Sequence, residues 1–159
     1  MTGIWGRRIR DAIPAGTWRA SQPGKILRPA TVPQGAYQIP QTVDLGPNGT
    51  ASPVPFTAAG AGTTQVGPQG VGESWACDQA QVSTNLGQLG STSTCTLYAG
   101  PAAIPAYQIA ANLVGGGTQF ALGGVQLVVG DYIWAVWAGG ASGEIGSLKV
   151  TGSRTALTQ

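Results

Sequence analysis

Residues 127–138 read Leu127-Val128-Val129-Gly130-Asp131-Tyr132-Ile133-Trp134-Ala135-Val136-Trp137-Ala138. A turn at Gly130-Asp131 separates two runs of aliphatic, β-branched and aromatic residues, the composition of strands. The spacing Leu127-x-x-Gly130-x-Tyr132 is that of a tyrosine corner, in which a Tyr opening a late strand turns its hydroxyl back onto the preceding loop. The motif belongs to Greek-key sandwiches. With the two-residue period of a strand it predicts Tyr132, Trp134 and Val136 on the core face. Ile133, Ala135 and Trp137 then share the other face, which is apolar as well. A strand apolar on both sides needs cover on both sides. Ile133 and Trp137 are therefore the candidate partner-binding residues of the body, covered by the N-terminal segment or by another subunit. The alternative is that Trp137 packs beneath a long loop of its own domain.

The same texture extends upstream and downstream. Short runs rich in Val, Thr, Ile and aromatics alternate with Gly, Pro, Ser and Asn clusters from residue 50 onward. Candidate strands are Ser52–Ala58, Thr63–Val66, Ser74–Thr84, Ser91–Tyr98, Tyr107–Leu113, Gln119–Leu122, Asp131–Ala138 and Ile145–Gly152, and no amphipathic helix interrupts them. The expected fold is all-β, a Greek-key or jelly-roll-like β-sandwich of about seven or eight strands. Thr84 to Gly90 reads as a hairpin loop. That would place Cys77 and Cys95 on facing strands. Either a disulfide or a pair of small buried thiols fits the spacing, and a reducing compartment favours the thiols. Gly115-Gly116-Gly117 and Gly139-Gly140 lack the Lys-Ser/Thr of a phosphate loop and read as connections.

Composition removes whole classes of function. Gly 26 and Pro 11 make up almost a quarter of the 159 residues, and only 9% are charged, against about 25% in an average soluble domain. There is no His. That excludes a Ser–His or Cys–His base and any histidine-ligated zinc. The six carboxylates, Asp11, Asp44, Glu73, Asp78, Asp131 and Glu144, are scattered without a short helical spacing. No catalytic residue, cofactor or metal is expected, and the chain reads as a structural or binding protein rather than an enzyme. The N-terminal arginines are followed by no apolar stretch of signal-peptide type. The longest apolar stretch, Val125–Ala138, is broken by Gly130 and Asp131, so the expectation is a chain made in the cytoplasm with no membrane partner.

Charge divides the chain in two. Up to Arg28 there are six basic residues and one acid, Asp11; from residue 29 onward Lys149 and Arg154 face five carboxylates. A near-neutral total thus hides a basic arm on a mildly acidic body, the pattern of an interaction tail. Prolines at 14, 23, 29, 33, 40 and 47 keep the first 49 residues out of helices and central strands. The arm nevertheless carries Trp5, Trp18 and Tyr37, and an extended segment with apolar side chains at intervals needs a surface to lie on. The expected organisation is a docking arm over 1–49 and a sandwich over 50–159. The arm's candidate contacts are Trp5, Arg7, Arg8, Arg10, Trp18, Arg19, Lys25, Arg28 and Tyr37. It wraps either its own domain or a neighbouring subunit. An acidic protein surface, including that of another copy, is the expected partner in preference to nucleic acid.

Gly67-Pro68-x-Gly70-x-Gly72-x-x-Trp75, then Thr94-x-Thr96-x-Tyr98-x-Gly100-Pro101, then Gly130-x-Tyr132-x-x-Ala135-x-Trp137-x-Gly139 form a set that resembles small virion proteins of phages infecting actinobacteria. The resemblance covers about two thirds of the chain, by style and spacing; the long arm departs from the shorter versions. Such proteins are often labelled minor tail proteins. The resemblance implies a virion location and a non-enzymatic role, with tail, head–tail or capsid subunits as partners and homo-oligomers as the assembled form. Two alternatives differ in what they contact. A capsid decoration or cement protein would bridge capsid subunits with the arm. A sugar-binding adhesion module would stack a host cell-surface glycan on Trp75, Tyr98, Tyr107 and Trp137.

Overall fold

The computed structural model describes residues 40–157. They form an all-β sandwich of two antiparallel sheets. The strands are β1 (Pro40–Asp44), β2 (Val54–Pro55), β3 (Gly62–Val66), β4 (Ser74–Thr84), β5 (Thr94–Gly100), β6 (Gln108–Val114), β7 (Gly117–Val128), β8 (Tyr132–Ala138) and β9 (Ile145–Leu157). One sheet has the order β1-β9-β4-β7, with β2 lying on β9 beside β1; the other has the order β3-β8-β5-β6. The only α-helical turn among the described residues is α1 (Gly87–Gly90).

Every expected strand of the body exists, and one more precedes them. β1 pairs along the C-terminal half of β9, from Pro40 opposite Leu157 to Asp44 opposite Ser153. The next residue, Leu45, is 1% exposed in the core. The sandwich therefore includes residues 40–45, upstream of the expected boundary at 49/50. Proline did not prevent it, because β1 is an edge strand and Pro40 is its first residue, where a missing N–H costs nothing.

The core follows two-residue alternation, interrupted at one place. In β8 the buried residues are Ile133, Ala135 and Trp137, and in β5 they are Cys95 and Leu97. The facing sheet supplies Trp75, Cys77, Ala80 and Val82 from β4, Leu148 and Val150 from β9, and Leu122 and Leu127 from β7. In β4 the inward set steps from Cys77 to Ala80, because Asp78 is an extra residue relative to β9, while at the same place β7 carries three residues, Leu122, Gly123 and Gly124, opposite Asp78 alone. The neighbours accommodate it with glycines in the left-handed region: Gly123 and Gly124 at φ 65° and 80° in β7, and Gly152 at φ 152° in β9. A side chain on Gly152 would meet the carbonyl of Ala76. One bulge thus crosses three strands and keeps apolar residues inward on both sides of it.

The expected hairpin over 74–98 does not form. β4 and β5 lie in different sheets, and the chain crosses between them through α1. Cys77 and Cys95 accordingly sit on opposite walls of the core as free thiols.

Candidate partner-binding surfaces

The arm residues Trp5, Arg7, Arg8, Arg10, Trp18, Arg19, Lys25, Arg28 and Tyr37 lie outside the described residues. The two body residues do not form a docking surface. Ile133 and Trp137 are both 0% exposed and belong to the core. The physical reason is steric fit. The Trp137 indole lies in a space where Gly115 and Gly146 have no side chains; a Cβ on either would come within 2.9 and 3.1 Å of it. Its ring sits 5.9 Å from that of Phe56, and Nε1 donates to the Gly115 carbonyl at 3.3 Å. The glycine run before β7 is thus a seat for Trp137. Trp75, also proposed for sugar stacking, is 2% exposed and equally internal.

The face of β8 that looks outward is Tyr132, Trp134 and Val136, each half-buried. Residues directly opposite in antiparallel strands share a face. Across β3, β8, β5 and β6 this gives one row: Gln65 faces Trp134, Trp134 faces Tyr98, and Tyr98 faces Gln108. With strands about 4.8 Å apart, the row spans roughly 14 Å. In the next row toward the β3–β4 end, Tyr132 faces Gly100. The Tyr107 ring lies over Gly100, 2.8 Å from where a Cβ would stand. Trp134 Nε1 donates to the Gly100 carbonyl at 2.9 Å, and Tyr132 packs edge-on against Trp134 with ring centroids 5.7 Å apart. Instead of closing a tyrosine corner into the core, Tyr132 is part of an outward aromatic patch. No residue of β3, β5, β6 or β8 is charged.

The other sheet presents a different outer surface. Thr42, Gln79, Gln81, Lys149, Thr151, Ser153 and Thr155 project from it, and Thr42 and Thr155 share a hydrogen bond of 2.8 Å. A shallow depression of about 410 Å³ is bordered by Asp44, Asp78, Lys149 and Ser153.

A second depression, about 390 Å³, opens beside the β3–β4 loop and is lined by Asn48, Thr50, Gln65, Gln69, Glu73 and Arg154. Glu73 is its fixed point. Oε2 accepts the backbone N–H groups of Gln69 and Gly70 at 3.0 and 2.8 Å, and Oε1 accepts Trp75 Nε1 at 2.8 Å. Arg154 Nη1 stands 3.6 Å from Oε1. Burial works to raise the Glu73 pKa, but these donors and the Arg154 charge outweigh it, so the carboxyl is held below its ordinary value. Glu144, on the loop before β9, is also held below its ordinary value: burial works upward and is outweighed by the nearby Ser91 and Thr84 hydroxyls and by the Ala141 N–H, which donates to Oε2 at 3.0 Å.

A carboxylate fastened by three hydrogen bonds and an ion pair holds a loop; it is not poised to exchange a proton near neutrality. Its depressed pKa sets the sign of the pH response. The stability it supplies is complete above the unfolded carboxylate value of about 4.3 and is lost as pH falls through the lower folded value. Glu73→Gln is expected to cost about 2 kcal/mol at pH 7, the scale of hydrogen bonds to a charged group. It should also flatten the acid limb of urea midpoints measured from pH 6 to pH 3. An unchanged acid limb would remove Glu73 as its source.

Among the described residues no group of three or more His, Cys, Asp or Glu side chains is arranged to hold a metal ion. No protein-family model, curated protein or solved structure matches the chain.

Proposed function

We propose that the chain is a non-enzymatic virion structural protein of a bacteriophage, at the tail or head–tail region, with a jelly-roll body and a basic N-terminal docking arm. The observation that carries the reading is the strand order. β1 and β2 together occupy one edge position, giving a four-position sheet β1/β2-β9-β4-β7 over a four-stranded sheet β3-β8-β5-β6. Consecutive strands pass from sheet to sheet except at β1/β2 and β5/β6. This order supports reading the body as two interlocked Greek keys, an architecture that recurs in viral capsid and lectin domains.

Architecture alone does not assign function, and two further features support the reading. The residues that carry the resemblance to phage virion proteins fall at structural positions of this body. Trp75 and Trp137 are its largest buried side chains, and Gly100 makes room for Tyr107. The charge split supplies a docking element, six basic residues up to Arg28 on a chain whose remainder is net acidic.

The test of the function is mass spectrometry of purified particles, in which the chain should appear at a fixed copy number. Recovery only from the lysate, never from particles, would sink it. The test of the arm is light scattering on the full chain and on a chain starting at Gln38, which keeps β1. The full chain is expected to be multimeric and the shortened one monomeric. Salt should weaken the multimer, since exposed charge pairs are screened beyond about 8–10 Å. A shortened chain that keeps the multimer would remove the arm from self-assembly.

A further inference from the structure

The geometry points to a binding site for a neutral oligosaccharide on the outer face of the β3-β8-β5-β6 sheet, centred on Trp134 and Tyr98. The row Gln65–Trp134–Tyr98–Gln108 puts two aromatic side chains side by side in the middle and a carboxamide at each end. Tyr132 and Tyr107 extend the aromatic surface in the next row, Tyr107 being the most open at 37% exposed. Thr63 and Thr96 flank Val136 in the row on the other side.

This arrangement matches the chemistry of a pyranose. Such a ring has apolar C–H faces and a rim of hydroxyls. Aromatic faces carry negative quadrupole charge and attract C–H groups. Each Gln carboxamide offers two N–H donors and a carbonyl acceptor, matching hydroxyls that both give and take hydrogen bonds. A span of roughly 14 Å between the outer strands accommodates more than one sugar ring in line.

The absence of charge from the four strands selects an uncharged ligand over an acidic glycan or a charged protein surface. The patch is also organised in advance. Trp134 is fixed by its hydrogen bond to Gly100 and by the edge contact with Tyr132, and Tyr107 is seated on Gly100. Binding therefore immobilises few side chains, which lowers the entropy cost of association.

The site differs from the one the sequence suggests, because Trp75 and Trp137 are internal while Trp134 and Tyr132 replace them outside. It stands whether or not the chain is found in particles.

The test uses the full chain and three uncharged probes, cellohexaose, laminarihexaose and β-1,4-galactohexaose, with hexagalacturonic acid as the charged comparator. Affinity is read by calorimetry, and the Trp134 indole N–H by NMR. At least one neutral probe is expected to bind with a micromolar to millimolar Kd and to shift that indole signal. Trp134→Ala and Tyr98→Ala should each weaken binding at least tenfold. The Gln65→Ala/Gln108→Ala double variant, whose changes lie outside the core, should weaken it severalfold with the fold intact. Gln81→Ala, on the opposite sheet, should leave it unchanged.

Binding by none of the neutral probes overturns the proposal. So does equal binding of the uronate, or an affinity indifferent to the double Gln variant. A multimer lost on Tyr98→Ala would also overturn it, since the face would then be an interface between copies.

Discussion

Trp137→Ala is expected to destabilise the protein by about 4 kcal/mol, within the range measured for deleting a buried aromatic. That is a large fraction of the 5–15 kcal/mol that holds an ordinary domain together. The indole is fully buried, tilted at 40° against the Phe56 ring and hydrogen-bonded to the Gly115 carbonyl. Glycines at 115 and 146 border the space it fills. No neighbouring side chain on those positions can swing in to replace it, so the cavity would persist and the cost would sit toward the upper part of the range. Trp137→Phe should recover part of the loss. Trp134→Ala, three residues earlier on the same strand but facing outward and half-buried, should cost under about 2 kcal/mol. Urea denaturation at one pH separates the two. Nearly equal losses at 134 and 137, or a loss under about 1 kcal/mol at Trp137, would contradict the inward placement.

That pair of residues shows where sequence reading succeeds and where it stops. Period-two alternation divides β8 correctly into Tyr132, Trp134, Val136 and Ile133, Ala135, Trp137. Both sets are apolar, so the period names two faces without saying which is inside. The likeness of Leu127–Tyr132 to a tyrosine corner points to the wrong face. β5 carries the missing information, because Thr94, Thr96 and Tyr98 alternate with Cys95 and Leu97, which makes its inner face plain. Using it requires knowing that Cys95 lies opposite Trp137, and register between distant strands is not written in either one.

The same limit explains the other differences. The loop Thr84–Gly90 has the residues of a hairpin turn, yet the chain uses them to change sheets. β7 runs for twelve residues, Gly117–Val128, where only Gln119–Leu122 is legible, because Gly123 and Gly124 look like an end and serve as a bulge. β1 is masked in the sequence by prolines that an edge strand tolerates. A strand flanked by clear turn signals is legible even with a bulge inside it: β4 matches its expected bounds, Ser74–Thr84.

Alkali is expected to unfold this protein through its two cysteines. Burial, with the Asp78 charge adding to it, pushes the Cys77 thiol from 9.0 up to about 12. Burial likewise pushes Cys95 up to about 12, against a small opposing pull from the Val136 backbone. Both side chains are 0% exposed. The sign follows from which state holds the proton. Below the unfolded thiol value of about 8.5 both states are protonated and the stability is complete. As pH rises from there toward 12, the unfolded chain releases protons that the folded chain keeps, and stability falls. At 1.36 kcal/mol for each pH interval of one, the loss is on the order of 4 kcal/mol for each thiol across the window. Two such losses rival the whole stability of an ordinary domain. Urea midpoints should therefore be nearly flat from pH 6 to pH 8, where the chain has no His to titrate, and fall steeply above pH 9. Cys77→Ala/Cys95→Ala should start lower, since it removes two buried sulfurs, and then fall much less over the same range. Labelling gives the independent reading: a thiol reagent at pH 8 should modify neither cysteine in the native protein and both in urea, because the attacking species is the thiolate. Rapid labelling of the native chain, or an alkaline limb that the double variant leaves unchanged, would show that the two thiols are not sealed in opposite walls of the core.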